Sequence, residues 1–464
     1  VRALAAVLAV LAVGAPSAAE RRKVTVRYTQ ADREAGRYQY VPFDVPEGTA
    51  RIAFGYSYDR ADGANVVDLG LYEPGPLDLG TKAFRGWTGG ERTEAFLSAS
   101  EATPGYWPGP IPAGRWHVGL GLYKVAPAGV DVQVWFETTA GPSPKVRAPV
   151  RPRPAEPLRR GERWYSGALH VHSVHSDGRL TIEELGKLAL AAGFDFVAHT
   201  DHNNTAHQVD PVPADGLLRI VGEEVTTPGG HMNVWGLAGE RREIDFRVLP
   251  GDPRIADLVK AANARGAVVS INHPASTCVG CGWEHAVVEG IAGIEVTNGR
   301  HQEMAAALDL WDRLLKQGRR IVAVGSSDWH RPPAPFDVAS VRVWANELST
   351  RAILDGIRAG RVVVMADGRT PPPLLVARAG GAKAGVGETL RVGDRREVRV
   401  DVTLPIGLLG GRVDLVADGA VVESKPASTK LRFQRPAGDR YLRVHVHDKD
   451  GGPRALTNPV FLER

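Results

Sequence analysis

Cysteine is nearly absent from this chain. Its 464 residues hold 2, at Cys278 and Cys281, which excludes a disulfide-built scaffold and a zinc site made of thiolates alone. Charge of one sign is lacking too: 57 Lys and Arg stand against 53 Asp and Glu, a formal charge of +4. That excess is too small for a polyanion-binding surface, so no nucleic-acid partner is expected. Beyond the first residues no apolar run is long enough to span a bilayer, and stable membrane insertion is not expected either. What is present is an ordinary globular mixture, 43% hydrophobic and 24% charged, long enough for two to four domains.

Residues 1–19 combine Arg2, an apolar run from Ala3 to Ala15, and the small residues Ser17, Ala18 and Ala19 before Glu20. This is the pattern of a secretory signal, so the expectation is an exported chain, periplasmic or extracellular. In an oxidising compartment the pair in Cys278-Val-Gly-Cys281 reads as a local disulfide ahead of a metal or redox pair.

From residue 20 to 140, short alternating segments separated by Gly, Pro and Asp predict an N-terminal β-sandwich. Residues 141–163 hold six prolines and seven Lys or Arg, an extended linker. From 164 to 370, strands alternate with helices, the pattern of an α/β barrel of seven or eight strands. One strand is expected from Ala168 to His172, and Thr181-Ile-Glu-Glu184 reads as a capping box opening a helix. Residues 371–464 return to short strands, a second β-sandwich.

Fourteen histidines are present, and eleven fall between Gly167 and Met365. His170, His172, His202, His231, His273 and His330 stand at or just past expected strand ends, which in an α/β barrel share one mouth. His170 and His172 are two apart, so in a strand they point the same way. The pair His445 and His447 lacks acidic companions and reads as structural. The first pair does not lack them: Asp177, the Glu223-Glu224 dipeptide and Asp328 recur at the same level of the pattern. Nine imidazoles and carboxylates on one mouth would be costly to bury without counter-charge, and two or three divalent ions would satisfy them.

This constellation resembles the polymerase and histidinol phosphatase (PHP) family of metal-dependent phosphoesterases over residues 167–365. The wider arrangement looks like its carbaryl-hydrolase (CehA/McbA) branch. The resemblance implies a distorted, TIM-like (βα)7 PHP barrel, flanked here by the two β-sandwiches. It also implies a ligand set: His170, His172, Glu224 and Asp328 on one ion, Glu224 bridging to a second ion held by His231 and His273, and Asp177, His202 and His330 on a third. Glu224 is preferred to Glu223 because the family's spacing is Gly-x-Glu. Where the family often has Asp, this chain has Ala168. Ligands without thiolate suit zinc, manganese or iron.

Paired divalent ions about 3.5–4 Å apart generate a hydroxide near neutral pH, so hydrolysis of a small-molecule ester is expected, a phosphate ester first. Asp328 could shuttle the proton, His175 could protonate the leaving group, and Arg331 or Arg300 could pair with substrate. Glu295 and His199 read as supports. Two alternatives stay open: a carbamate or carboxylic ester hydrolase using the same hydroxide, and a surface binding protein with a vestigial metal site.

Overall fold

The computed structural model describes residues 21–142, 157–211, 215–239, 241, 243–299 and 301–464, the side chains of 301 and 302 excepted. The expected signal segment, most of the proline-rich linker and Arg300 lie outside the described residues. Two compact units divide the chain, one drawn from Val1–Pro74, Arg92–Thr103 and Trp107–Arg147, the other from Gly75–Glu91, Pro104–Tyr106 and Ala148–Arg464.

The first unit contains an antiparallel sheet in the order Arg22–Tyr28, Val130–Ala140, Thr49–Tyr58, Glu94–Ser98. A second sheet places Gly114–Lys124 between Tyr38–Val45 and Val66–Tyr72. Alternation decides which side chains go inside: Ile52, Phe54 and Tyr56 from one sheet and Val118, Leu120 and Leu122 from the other are buried. The rings of Phe43 and Phe136, one from each sheet, stack at 4.6 Å. Burial of each such side chain contributes about 1.5–3 kcal/mol.

In the second unit a long sheet runs, in spatial order, through Val322–Gly325, Ile291–Thr297, Val268–Ile271, Gly230–Trp235, Leu218–Thr227, Phe196–His199 and Arg159–Ala168. It continues through Ser340–Leu348, Val362–Met365 and Pro453–Thr457. Four helices accompany it, Ile182–Ala192, Arg254–Ala264, His301–Lys316 and Thr350–Arg358. The first opens on the expected capping box, Thr181 and Glu184 satisfying each other's backbone N–H. Phe196, Ile220, Trp235, Val268, Val324, Val341 and Val343 form a shared apolar core.

The expected (βα)7 barrel needs correction. Leu218–Thr227 and Gly230–Trp235 are joined by two residues and pair antiparallel, because so short a connection permits no parallel crossover. Ser340–Leu348 is also antiparallel to both its neighbours. Among the described residues no ladder joins Val322–Gly325 to Val362–Met365, so the sheet stays open. At that seam Asn458 stands in for a strand. Its Oδ1 accepts from Ala323 N at 2.8 Å, and its Nδ2 donates to Ala323 O at 2.8 Å and Val362 O at 3.0 Å.

Two boundaries shift as well. The stretch expected as the end of the linker is strand, Arg159–Ala168, held by its pairing with Ser340–Leu348. That strand ends at Ala168, so His170 and His172 lie past it. Beyond Gly368 the chain builds a four-stranded sheet in the order Ala382–Ala384, Leu374–Ala379, Glu397–Thr403, Lys430–Pro436, while Tyr441–His447, Arg412–Ala417 and Ala420–Pro426 extend the long sheet. Leu375, Val400 and Phe433 share one core with Val413, Val444 and Met365.

Candidate metal centre

The loop after Arg159–Ala168 is fastened to the one after Val322–Gly325. Ser326 Oγ accepts from Leu169 N at 3.1 Å and His170 N at 2.8 Å and donates to His170 O at 3.1 Å. Val171 forms a parallel bridge with Trp329, which keeps the His-x-His segment extended although it is no longer strand. His202 bridges Glu224 in the same way. Asp328 and His273 adopt φ of 49° and 23°, left-handed backbone that few side chains adopt and that concentrates at functional sites.

Three groups of donors result: His170, His172, Glu224 and Asp328; Glu224, His231 and His273; and His172, Asp177, His202 and His330. In the first, His170 Nε2 lies 3.1 Å from His172 Nε2, 3.2 Å from Glu224 Oε1 and 3.1 Å from Asp328 Oδ1. His172 Nε2 lies 3.1 Å from Asp328 Oδ1 and 3.4 Å from Glu224 Oε2. Four ligands arranged tetrahedrally about 2.0–2.1 Å from one ion would stand about 3.3–3.4 Å apart. In the second group Glu224 Oε1 is 3.2 Å from His231 Nδ1 and 3.1 Å from His273 Nε2. In the third Asp177 Oδ1 is 3.3 Å from His330 Nε2 and 3.6 Å from His202 Nε2.

The surrounding hydrogen bonds decide where the protons sit. Glu295 Oε1, an acceptor only, lies 3.3 Å from His170 Nδ1. Ser176 donates its hydroxyl to Asp201 Oδ1 at 2.8 Å, which leaves its Oγ to accept from His172 Nδ1 at 3.3 Å. His330 Nδ1 donates to Asp328 O at 2.8 Å. Thr226 donates to Glu224 O, so its Oγ1 accepts from His202 Nδ1 at 2.5 Å, and the same Nδ1 lies 2.9 Å from Glu224 Oε2. With each Nδ1–H assigned, four Nε2 lone pairs face carboxylate oxygens, acceptor against acceptor, and in the first group two of them face each other as well. A divalent cation fits that donor set. Asp177 Oδ1, His231 Nδ1 and His273 Nδ1 are also buried without a hydrogen bond.

Without a cation, protons bear the charge. Burial disfavours charged His170, but Asp328, Glu224 and Glu295 outweigh it and push its pKa well up. Burial, reinforced by His330 and His202, pushes His172 down to about 4. Burial opposes the charge on Glu224 and Asp328, yet the imidazoles hold both well below the carboxylate range.

The other sequence-expected residues fall differently. His175 has both ring nitrogens committed: Nδ1 accepts from Gly105 N at 3.0 Å, and Nε2 donates to Asp210 Oδ2 at 2.9 Å. It belongs to none of the three groups. Arg331 is exposed beside His330, and Arg300 lies outside the described residues. Glu295 acts as a support, since its Oε2 also accepts from His273 N at 2.9 Å. His199 is fully buried. Sequence reasoning missed Asn272, whose Nδ2 donates to Glu224 Oε1 at 2.8 Å, and Asp201, which accepts from Ser173 N, Ser173 Oγ and Ser176 Oγ. Their places inside the Asn-His and Thr-Asp-His motifs were the available signal.

No family model matches the chain. No curated protein matches it either. Among solved structures, a two-domain protein from Bacteroides vulgatus containing a predicted PHP-like metal-dependent phosphoesterase matches 68% of this chain and 99% of its own, at 18% identity and a TM-score of 0.37. PsfC from Pseudomonas syringae matches 42% and 87%, at 14% identity and 0.31. An amidohydrolase from Chromobacterium violaceum, solved with sulfate and no metal, matches 37% and 89%, at 19% identity and 0.25. At such scores these likenesses carry no weight for fold or activity, and the site must speak through its own chemistry.

Proposed function

We propose that the chain is a metal-dependent hydrolase that cleaves phosphate esters. One observation carries the reading: imidazole lone pairs and carboxylate oxygens meet at ligand-to-ligand spacing in three groups that share His172 and Glu224. Those groups would hold two or three ions of zinc, manganese or iron. When bound, the ions would supply Lewis acidity, lowering the pKa of a water and offsetting charge on the ester oxygens.

The chain's own residues do the rest. Three carboxylates, on Asp177, Glu224 and Asp328, do not neutralise three divalent ions, so a loaded centre would stay cationic and favour an anionic ester. Asp328 Oδ1 faces His170 and His172 as a ligand, and its free Oδ2 would orient the attacking water by accepting a hydrogen bond from it. Arg331 would pair with a substrate oxyanion. Export is supported by the apolar run after Arg2.

A second reading, hydrolysis of a carbamate or carboxylic ester, is favoured by a cavity of about 100 Å³ lined by Val338, Val364, Met365 and Leu456. It shares Thr297 and Met304 with a cavity of about 10 Å³ walled by His273 and Glu295, which sets the apolar cavity next to one donor. Comparing p-nitrophenyl phosphate with naphthyl carbamate and naphthyl acetate on one metal-loaded preparation tests both. Faster metal-dependent turnover of the phosphate supports the first reading, and turnover of the neutral esters alone replaces it with the second.

A further inference from the structure

The four-stranded sheet beyond Gly368 buries Leu375, Ala377, Val398, Val400, Val402 and Phe433 and turns the alternate residues outward. The register sets Arg378 opposite Arg399, and Asp401 opposite Arg432. All three guanidiniums converge on the one carboxylate: Asp401 Oδ2 accepts from Arg378 Nε at 3.2 Å and Arg399 Nε at 3.1 Å, and Oδ1 accepts from Arg432 Nε at 3.1 Å. Among the described residues, the terminal nitrogens of these arginines make no hydrogen bond. Three positive charges against one negative leave a surplus of two. Asp401 holds the guanidiniums together while their donor forks stay unspent.

Beside this array lies a dent of about 210 Å³ lined by Arg378, Gly380, Glu397, Val398, Arg399 and Gln434. A side chain at Gly380 would come within 3.1 Å of Arg395 Nε, so a fourth guanidinium stands at its edge. Glu397 is the one carboxylate in the lining, and Gln434 Nε2 is a neutral donor. The dent is smaller than the roughly 300–1,000 Å³ of a drug-sized site, so it suits a compact group.

We propose that this dent binds a small phosphomonoester, its dianionic phosphate engaged by the free forks of Arg378 and Arg399. With Arg395 and Glu397 counted, four guanidiniums against two carboxylates still leave a surplus of two, which matches a phosphate above its second pKa, about 6, and a tetrahedral oxyanion gives two planar forks separate oxygens to engage. A concave, local array fits a small molecule better than a flat membrane or an extended polymer.

The test is calorimetric titration of inorganic phosphate into the full chain carrying Asp328→Asn, treated with chelator so that the metal centre takes no part. The expected result is one saturable site per chain. Arg378→Gln with Arg399→Gln should weaken it at least tenfold. Arg399→Lys, which keeps the charge but loses the fork, should weaken it severalfold. Unchanged affinity in the double variant, undiminished binding in Arg399→Lys, or binding to vesicles of anionic phospholipid without binding to phosphate would each overturn the proposal.

Discussion

Asn272→Ala probes how the second donor group is built. Asn272 is 1% exposed, donates to Glu224 Oε1 at 2.8 Å and accepts from Asn233 N at 3.1 Å. Removing a hydrogen bond to a charged acceptor costs about 1.5–3 kcal/mol. At about 1.4 kcal/mol per tenfold, metal binding by Glu224, His231 and His273 should weaken by roughly 10–100-fold, the usual effect of losing a partner that orients a ligand. The stranded Asn233 N–H adds a separate loss of fold stability of about 1–3 kcal/mol. Competition against a chromogenic chelator reads the first quantity and the urea midpoint reads the second. Asn272→Asp keeps the acceptor for Asn233 but sets a second carboxylate against Glu224, so it should harm the metal-free protein more than the loaded one. Unchanged metal affinity in Asn272→Ala would refute the reasoning, because Glu224 would then need no orienting partner.

Further outcomes follow from other contacts. In the metal-free protein burial favours neutral His202, but Glu224 and Asp177 outweigh it and lift its pKa to about 9. The stability this adds is complete below the unfolded value of about 6.5 and is lost as pH rises through about 9. Metal affinity should rise over the same window as protons stop competing, so a flat chelator titration across it would count against the assignment. Arg443 is 1% exposed and holds both oxygens of Asp312, so Arg443→Met leaves that buried carboxylate uncompensated, with only the Tyr441 hydroxyl donating to it at 2.7 Å, and should cost about 3–5 kcal/mol by urea denaturation while metal content stays unchanged. A Cβ at Gly178 would lie 2.4 Å from His172 O and 2.7 Å from Ser173 N, both backbone. Gly178→Ala must therefore displace the loop that carries His172, and a shift of about 1 Å can cost on the order of 100-fold in turnover. Unaltered kcat would show that this loop is not part of the site.

The donors were legible because most stand just past a strand, with Glu224 and His231 inside one, and repeat a short pattern of His with Asp or Glu that a solvated surface does not need. The structure sets nine such residues into three overlapping groups. Strand existence was legible from periodicity, but sheet closure was not. Antiparallel pairing of Gly230–Trp235 and Ser340–Leu348 depends on connection length and on partners distant in the chain, and the seam at Asn458 depends on a residue 135 positions from Ala323. His175 shows the same limit. Proximity to Asp177 in sequence suggested chemistry, whereas Gly105 and Asp210, 70 and 35 positions away, claim both its nitrogens. Asn272 and Asp201 were hidden because their value lies in whom they touch rather than in residue type.

Elemental analysis of the purified full chain after reconstitution with zinc, manganese or iron, coupled to p-nitrophenyl phosphate hydrolysis, bears most directly on the central claim. Two or three ions per chain are expected, with turnover that disappears in folded His170→Ala and Asp328→Ala, because cores of this size do not need the metal to fold. A chain that retains no transition metal after reconstitution, and shows no hydrolysis with any of the three, would contradict the account.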